Sequence, residues 1–189
     1  MRAFLAFQLP DNIREELSQL IDKGKNLVPK GIKWVREENL HITLLFLGDI
    51  ERSQLKQMDR VFSKIFGGLQ PFTINSPIIE TIPAREPRII WVRYRTNVRK
   101  IFSLPGSIRN AFPKLGLETK PLKLHVTLGR VRSNAENIPF GKIISLDMPK
   151  QNTIIDTVGL FESKLKPDGP VYHLLQQYEL KGYKEDDNG

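Results

Sequence analysis

A tetrapeptide that pairs histidine with threonine occurs twice in the 189-residue chain: residues 41–44 read His-Ile-Thr-Leu and residues 125–128 read His-Val-Thr-Leu. The chain contains three histidines, and two of them open these copies. Both copies lie in apolar, β-branched runs, which predict β-strands. Because side chains alternate along a strand, each His shares a face with the Thr two residues later. Each copy therefore presents an imidazole and a hydroxyl side by side.

Two such strands could supply the acid and the base for a reaction at phosphorus if the fold brings them together. Imidazole titrates near neutral pH, so one of His41 and His125 can accept a proton while the other donates one. The hydroxyls of Thr43 and Thr127 can hydrogen-bond to anionic oxygens and hold them between the rings. The pattern suits in-line attack at phosphorus by a hydroxyl or by water, and this chemistry requires no metal.

A metal site and a purely structural role are the alternatives for these histidines. A metal would need a third ligand, and His173 could supply one. The sequence shows no His-x-His or His-x₃-His spacing, so we expect neither a metal nor a cofactor. For His173 a structural or surface role is the simpler interpretation.

Five residues after each His stands another side chain that could bind a nucleotide. Phe46 could stack on a base, and Arg130 could pair with phosphate. Strict alternation places both on the opposite strand face from the His. They can contribute only if the strands twist, bulge or end there, which Gly48 and Gly129 would permit.

Hydrophobic periodicity and turn residues divide the chain into helices and strands. We predict helices over 11–27 and 51–66. Apolar residues between 98 and 112 also have helical spacing, but a proline inside a helix destabilises it by about 3 kcal/mol, so this helix should break or kink at 104–106. The predicted strands are 2–8, 32–35, 41–47, 72–82, 88–95, 122–131, 153–164 and 171–180.

Three further segments are predicted from their turn and polar residues. Residues 166–170 should form the turn of a hairpin. Residues 133–150 should be a loop with a short strand around 142–146. Residues 184–189 should be a disordered acidic tail after one domain over 1–183. Hairpin-linked strands mixed with helices indicate an α+β fold with antiparallel sheets. If the two halves pack as quasi-symmetric lobes, the two His strands lie beside or across from each other.

Composition restricts the class of protein and its partners. Lys and Arg number 29 against 21 Asp and Glu, a net charge of +8. This excess favours an anionic partner, nucleic acid first, although ordinary solubility would explain it equally well. No stretch approaches the roughly 20 apolar residues of a membrane span, and the apolar start is too short for a signal peptide. With no cysteine to form disulfides, we expect a cytoplasmic protein that does not enter membranes.

The paired motifs resemble those of the two-histidine (2H) phosphoesterases. More narrowly, the chain is similar to the RNA 2′,3′-cyclic phosphodiesterases, also called 2′-5′ RNA ligases. The resemblance spans nearly the whole chain. It is carried by residues 1–7, 41–48, 87–91, 125–130, 160–163 and 169–172.

This resemblance implies a bilobed α+β fold of two quasi-symmetric lobes, each an antiparallel sheet with flanking helices, and an active site in the cleft between them. It implies metal-independent hydrolysis of RNA 2′,3′-cyclic phosphate ends to 2′-phosphate ends, with 2′-5′ ligation as the reverse use of the same chemistry. His41 would protonate the leaving 3′-oxygen, and His125 would activate water. The phosphate would be bound by Thr43, Thr127 and Arg130, and the terminal nucleoside by Phe46.

Two other functions remain open from the residues. The chain could cleave another small cyclic nucleotide, or it could be a non-catalytic protein that binds RNA or nucleotides. Since all four His and Thr residues are present, we favour catalysis. RNA carrying 2′,3′-cyclic phosphate ends is the expected partner, and we expect the protein to be a monomer.

Overall fold

Antiparallel strands form the scaffold of the computed structural model, which describes residues 1–148 and 151–182. The predicted tail 184–189 lies outside the described residues. Within them the strands are β1 (Arg2–Phe7), β2 (Ile32–Trp34), β3 (Ile42–Asp49), β4 (Phe72–Ile82), β5 (Ile89–Arg95), β6 (His125–Val131), β7 (Thr153–Ile155), β8 (Thr157–Lys166) and β9 (Gly169–Glu179). The helices are α1 (Asp11–Leu27), α2 (Leu55–Gly67), α3 (Leu104–Ala111) and α4 (Phe140–Ile144).

The strands form two antiparallel groups that meet at one seam. Their order is β7-β4-β5-β6-β3-β1-β8-β9, and β2 also pairs with β6. The first lobe contains β1, β3, β8 and β9, and the second contains β2 and β4 to β7. Strands β3 and β6 join the lobes through the pair Ile42 and Val126. The predicted two-lobed α+β fold is confirmed, but neither lobe is one contiguous half of the chain.

Helices cover the sheet on both lobes as the apolar spacing requires. In α1 the buried side chains recur at helical spacing along one face, as predicted: Ile13, Leu17, Leu20 and Ile21. Helix α2 packs against β9, where Phe62 and Phe66 contact the ring of Tyr178 at centroid distances of 5.9 and 5.4 Å. None of the described helices is long and apolar enough to cross a bilayer.

The proline at position 105 lies in the first turn of a helix, in agreement with the predicted break at 104–106. A 3₁₀ segment over Arg99–Ser103 precedes it, and α3 begins at Leu104. Pro105 lies in the first turn, where its missing N–H leaves no hydrogen bond unmade. The predicted hairpin turn at 166–170 is also confirmed, because β8 ends at Lys166 and β9 begins at Gly169.

Two predicted strands differ from the structure. The short strand expected around 142–146 is wrong, since α4 occupies this stretch after Pro139 and buries Ile143 next to β4. The β-branched pair Ile143-Ile144 favoured a strand, but only one of the two side chains finds a core to enter. The single strand expected over 153–164 is two strands separated by Asp156: β7 pairs with β4 in one lobe, and β8 pairs with β1 in the other.

Candidate active site

The two His-x-Thr strands lie side by side and run in opposite directions. Ile42 of β3 faces Val126 of β6, and both side chains are fully buried. Antiparallel pairing about this contact brings each His of one strand next to the Thr of the other. The histidines and threonines occupy the opposite strand face from the buried pair, and all four are half-buried. The repeat therefore forms a site with approximate twofold symmetry.

A cleft of about 430 Å³ opens over this seam. All six residues that the sequence singled out line it. They are His41, Thr43, Phe46, His125, Thr127 and Arg130. Side chains from both lobes thus surround a space large enough for a nucleotide-sized ligand.

His41 is held by two hydrogen bonds and two aromatic rings. Its Nδ1 lies 2.7 Å from the carbonyl oxygen of Asn39, so Nδ1 carries a proton and donates it. Its Nε2 lies 3.0 Å from the hydroxyl of Thr43 and accepts from it when the ring is neutral. The rings of Phe4 and Tyr172 pack on the imidazole at centroid distances of 5.0 and 5.3 Å.

These surroundings make His41 a weak base. Burial lowers its pKa from 6.5 to about 4; the Asn39 hydrogen bond partly opposes this shift, and the nearby His125 adds to it. At neutral pH the free protein therefore carries His41 in the uncharged form. An anion bound in the cleft would favour the imidazolium and raise this pKa.

His125 has a different set of contacts. Its Nδ1 lies 2.9 Å from the carbonyl oxygen of Lys123, so this nitrogen carries the proton and Nε2 is the acceptor. Its ring packs on Trp91 with the centroids 4.2 Å apart. Burial lowers the pKa of His125, the Lys123 carbonyl opposes this, and the charges of Lys123 and Arg130 lower it further.

Phe46 reaches the cleft because β3 contains a bulge. Strand β1 pairs with Thr43 and with Leu45 but has no partner for Leu44. One extra residue shifts the alternation of side chains by one position. Phe46 therefore lies on the cleft side despite its odd offset from the His, and 66% of its surface is exposed.

Arg130 reaches the cleft because β6 contains a bulge of the same kind. Strand β5 pairs with Thr127 and with Gly129, and Leu128 is left between them. The bulged residue is thus the fourth residue of each tetrapeptide. This resolves the conflict that strict alternation raised for both side chains.

Other cleft residues were not singled out from the sequence. Tyr172 lies within residues 169–172, which contribute to the family resemblance, so this motif could have identified Tyr172 from the sequence. Four basic residues also line the cleft, and the sequence indicated them only through the net charge because they come from separate elements. They are Arg2, Lys33, Arg36 and Lys166. His173 is exposed on β9 and does not line the cleft.

The residues that could bind a metal are dispersed. Across 1–148 and 151–182, no group of three or more His, Cys, Asp or Glu side chains is placed to hold a metal ion. In particular, His173 does not complete a ligand set with the two cleft histidines.

Comparison with known proteins gives a consistent result. The family model for LigT-like phosphoesterases matches residues 7–91. The chain is 32% identical over 183 residues to an RNA 2′,3′-cyclic phosphodiesterase of Methanocaldococcus jannaschii, covering 94% of this chain and 100% of that protein. It is also 32% identical over 182 residues to the protein of the same name from Archaeoglobus fulgidus, covering 95% and 100%.

Solved structures share the fold. A Thermus thermophilus protein superposes with a TM-score of 0.80 at 26% identity, over 97% of this chain and 100% of that one. The Escherichia coli LigT structure in complex with 3′-AMP superposes with a TM-score of 0.72 at 23% identity, over 95% and 97%. The relatives and the structures are therefore matched over nearly their full lengths.

Proposed function

The chain belongs to the LigT-like phosphoesterase family, and from this premise we propose that it hydrolyses RNA 2′,3′-cyclic phosphate ends to 2′-phosphate ends without a metal ion. One observation carries the proposal: two imidazoles and two hydroxyls from antiparallel strands line a single cleft. The shared name of the relatives supports RNA as the substrate.

In the proposed reaction His41 enters as the imidazolium, with a proton on each ring nitrogen, and His125 enters as the neutral ring. His125 accepts a proton from water at Nε2, and the water oxygen attacks phosphorus. The bond from phosphorus to the 3′-oxygen breaks as His41 gives its Nε2 proton to that oxygen. The bond to the 2′-oxygen stays, so the product has a 2′-phosphate and a 3′-hydroxyl. Proton exchange with solvent then restores both rings.

Other cleft residues hold the substrate. Thr43 and Thr127 donate hydroxyl hydrogen bonds to the non-bridging oxygens, and the guanidinium of Arg130 pairs with the phosphate charge. The exposed ring of Phe46 stacks on the terminal base. The bound phosphate also supplies the negative charge that His41 needs to become protonated near neutral pH.

Ligation uses the same groups with a different nucleophile. A 5′-hydroxyl that replaces water would join the ends through a 2′-5′ linkage. Hydrolysis should dominate, because water is abundant and ligation requires two RNA ends to be held in the cleft together.

The test is conversion of an RNA oligonucleotide that ends in a 2′,3′-cyclic phosphate, in the presence of EDTA. We expect the unmodified protein to form a 2′-phosphate end and His41→Ala and His125→Ala to lose at least about 100-fold in rate. His173→Ala is the matched control, since this His is exposed and outside the cleft.

Other outcomes lead to the alternative functions. If the oligonucleotide binds but is not converted, the protein either acts on another small cyclic nucleotide or is a non-catalytic binder. Turnover of 2′,3′-cyclic mononucleotides would distinguish these two cases. Loss of activity with EDTA that added Mg²⁺ or Mn²⁺ restores would overturn metal independence.

A further inference from the structure

Trp91 forms the packing surface for His125, and its own polar group is engaged. Its indole is 8% exposed and contacts the imidazole with the two planes inclined by 44°. The indole Nε1 donates to Oε2 of Glu80 at 3.1 Å. The ring on which His125 rests is therefore fixed from the adjacent strand.

Glu80 is in turn held by Arg93. The guanidinium donates from Nε to both carboxylate oxygens at 3.0 Å and from Nη2 to Oε1 at 2.7 Å. Hydrogen bonds from Arg93 are the main reason that the pKa of Glu80 is lowered, so the carboxylate stays charged. Both side chains of this pair are about 30% exposed, at 30% for Arg93 and 31% for Glu80.

Strand register places this assembly on the cleft face. Glu80 pairs with Trp91 across β4 and β5, and Trp91 pairs with Thr127 across β5 and β6. Arg93 pairs with His125. Directly opposed residues in an antiparallel sheet project to the same face, so all five side chains form one patch.

We propose that Glu80, clamped by Arg93, holds Trp91 as a positioning residue that orients His125 and stabilises its charged form. This inference rests on the proposed function, in which His125 takes a proton from water. An aromatic face within about 6 Å attracts a cation, and Trp does so most strongly. The carboxylate on the indole N–H polarises that ring and increases the attraction.

The assembly of Trp91, Glu80 and Arg93 favours a charged His125 in surroundings that otherwise disfavour its charge. Several positive or titratable groups face His125 from its own strand and from the strands packed on it, and Lys123 also lies 5.9 Å from the Trp91 ring centroid. Glu80 acts on His125 through the indole N–H of Trp91, which donates to its carboxylate. The groups that face His125 are Lys123, Arg130, Arg93, His41 and Tyr172.

The test uses Glu80→Gln, Trp91→Phe and the double variant. Asp22→Asn is the control, since it also replaces a carboxylate of a Lys or Arg ion pair but lies on α1. The measurements are the His125 imidazole pKa by NMR in the free protein, and kcat and KM on the RNA cyclic phosphate. Denaturant unfolding checks that each variant is folded.

We expect Glu80→Gln to lower the His125 pKa and to lower kcat about three- to tenfold, with KM little changed. Trp91→Phe keeps a ring but loses the N–H, so kcat should fall by a similar factor. The double variant should be no worse than Trp91→Phe alone, because Glu80 acts through the indole N–H. Asp22→Asn should match the unmodified protein.

Two results would overturn the inference. One is an unchanged His125 pKa and kcat in Glu80→Gln; the other is additive losses in the double variant, which would mean that Glu80 acts directly by charge. If the unmodified protein does not turn over RNA cyclic phosphates, the proposed function fails. The NMR titration still decides whether Trp91 and Glu80 control His125.

Discussion

The two histidines have different surroundings although they open nearly identical tetrapeptides. His41 is enclosed by Phe4 and Tyr172 and hydrogen-bonds to Thr43. His125 rests on Trp91. Both rings donate Nδ1–H to a backbone carbonyl, so their tautomer is the same and their other contacts differ. This asymmetry gives the two rings different environments, and in the proposed mechanism one of them is the acid and the other the base.

The lowered pKa values predict the pH dependence of the reaction. Catalysis as proposed needs His41 protonated and His125 neutral, so the pair must carry one proton. In the free protein burial lowers the pKa of both rings below 6.5, that of His41 to about 4, so the pair loses its protons on the acid side of pH 6.5. We therefore expect kcat/KM to be highest below pH 6.5 and to fall as pH rises to 8, because both rings lose their protons. A discontinuous assay at substrate concentrations well below KM measures kcat/KM across this pH range.

The same reasoning separates kcat from kcat/KM. Bound phosphate stabilises an imidazolium, so the basic limb of kcat should lie at higher pH than that of kcat/KM. A kcat/KM that increases steadily from pH 6 to 8 would contradict the assigned environments.

Phe46 is expected to contribute to binding and not to the chemical step. Stacking on a base is worth about 1–3 kcal/mol, so Phe46→Ala should raise KM about tenfold with little change in kcat. The ring is 66% exposed, so its removal opens no cavity. Phe102→Ala, which removes a ring that is 44% exposed and outside the cleft, is the control for steady-state kinetics. Equal KM values for the two variants would exclude the stacking role.

At the scale of elements, close packing around Trp34 fixes β2 against α1 and β6. A Cβ atom added to Gly129 would lie 2.8 Å from Ile32 and 3.1 Å from the Trp34 ring. One added to Gly24 of α1 would lie 2.5 Å from the same ring. Glycine is therefore required where β6 supports β2, the strand that brings Lys33 to the cleft rim.

Two glycine-to-alanine changes test this packing. Gly129→Ala should lower the free energy of unfolding by about 1–3 kcal/mol through overpacking. Gly106→Ala in α3 meets no atom within 4 Å and should raise it by about 0.5–1 kcal/mol, since alanine favours a helix. Urea titration of both variants measures the difference. If Gly129→Ala is as stable as Gly106→Ala, the contact with Trp34 does not restrict this position.

At the scale of the whole molecule, the two lobes share one continuous sheet and one core. The first lobe pairs β1, from the start of the chain, with β8, from its end. The chain crosses between the lobes again at Asp156, between β7 and β8. Buried residues of both lobes belong to one hydrophobic cluster. Neither lobe can therefore unfold without exposing apolar surface of the other.

This connectivity predicts a single cooperative unfolding transition, as we expect if residues 1–183 form one domain. Both tryptophans, Trp34 and Trp91, lie in the second lobe, whereas far-UV circular dichroism reports on both lobes. We expect the two signals to give the same urea midpoint. A fluorescence midpoint that differs from the circular dichroism midpoint would show that the lobes unfold independently.

Local patterns in the residues were enough to predict the candidate site residues and much of the scaffold. Apolar β-branched runs predicted the two His strands, helical spacing predicted α1, and Pro105 predicted the break at 104–106, because these features depend on near neighbours along the chain. The fold and the presence of all six predicted residues in one cleft agree with that reasoning. The catalytic roles of those residues remain predictions.

Long-range pairing determined the remaining features. Phe46 and Arg130 face the cleft only because β1 and β5 skip Leu44 and Leu128, and a bulge depends on the partner strand. Helix α4 lies where β-branched residues favour a strand, and it buries Ile143 against β4 while Ile144 stays exposed. Trp91 and Tyr172 reach the two histidines from strands far along the chain, and such contacts have no local signature because only the folded sheet brings these strands together.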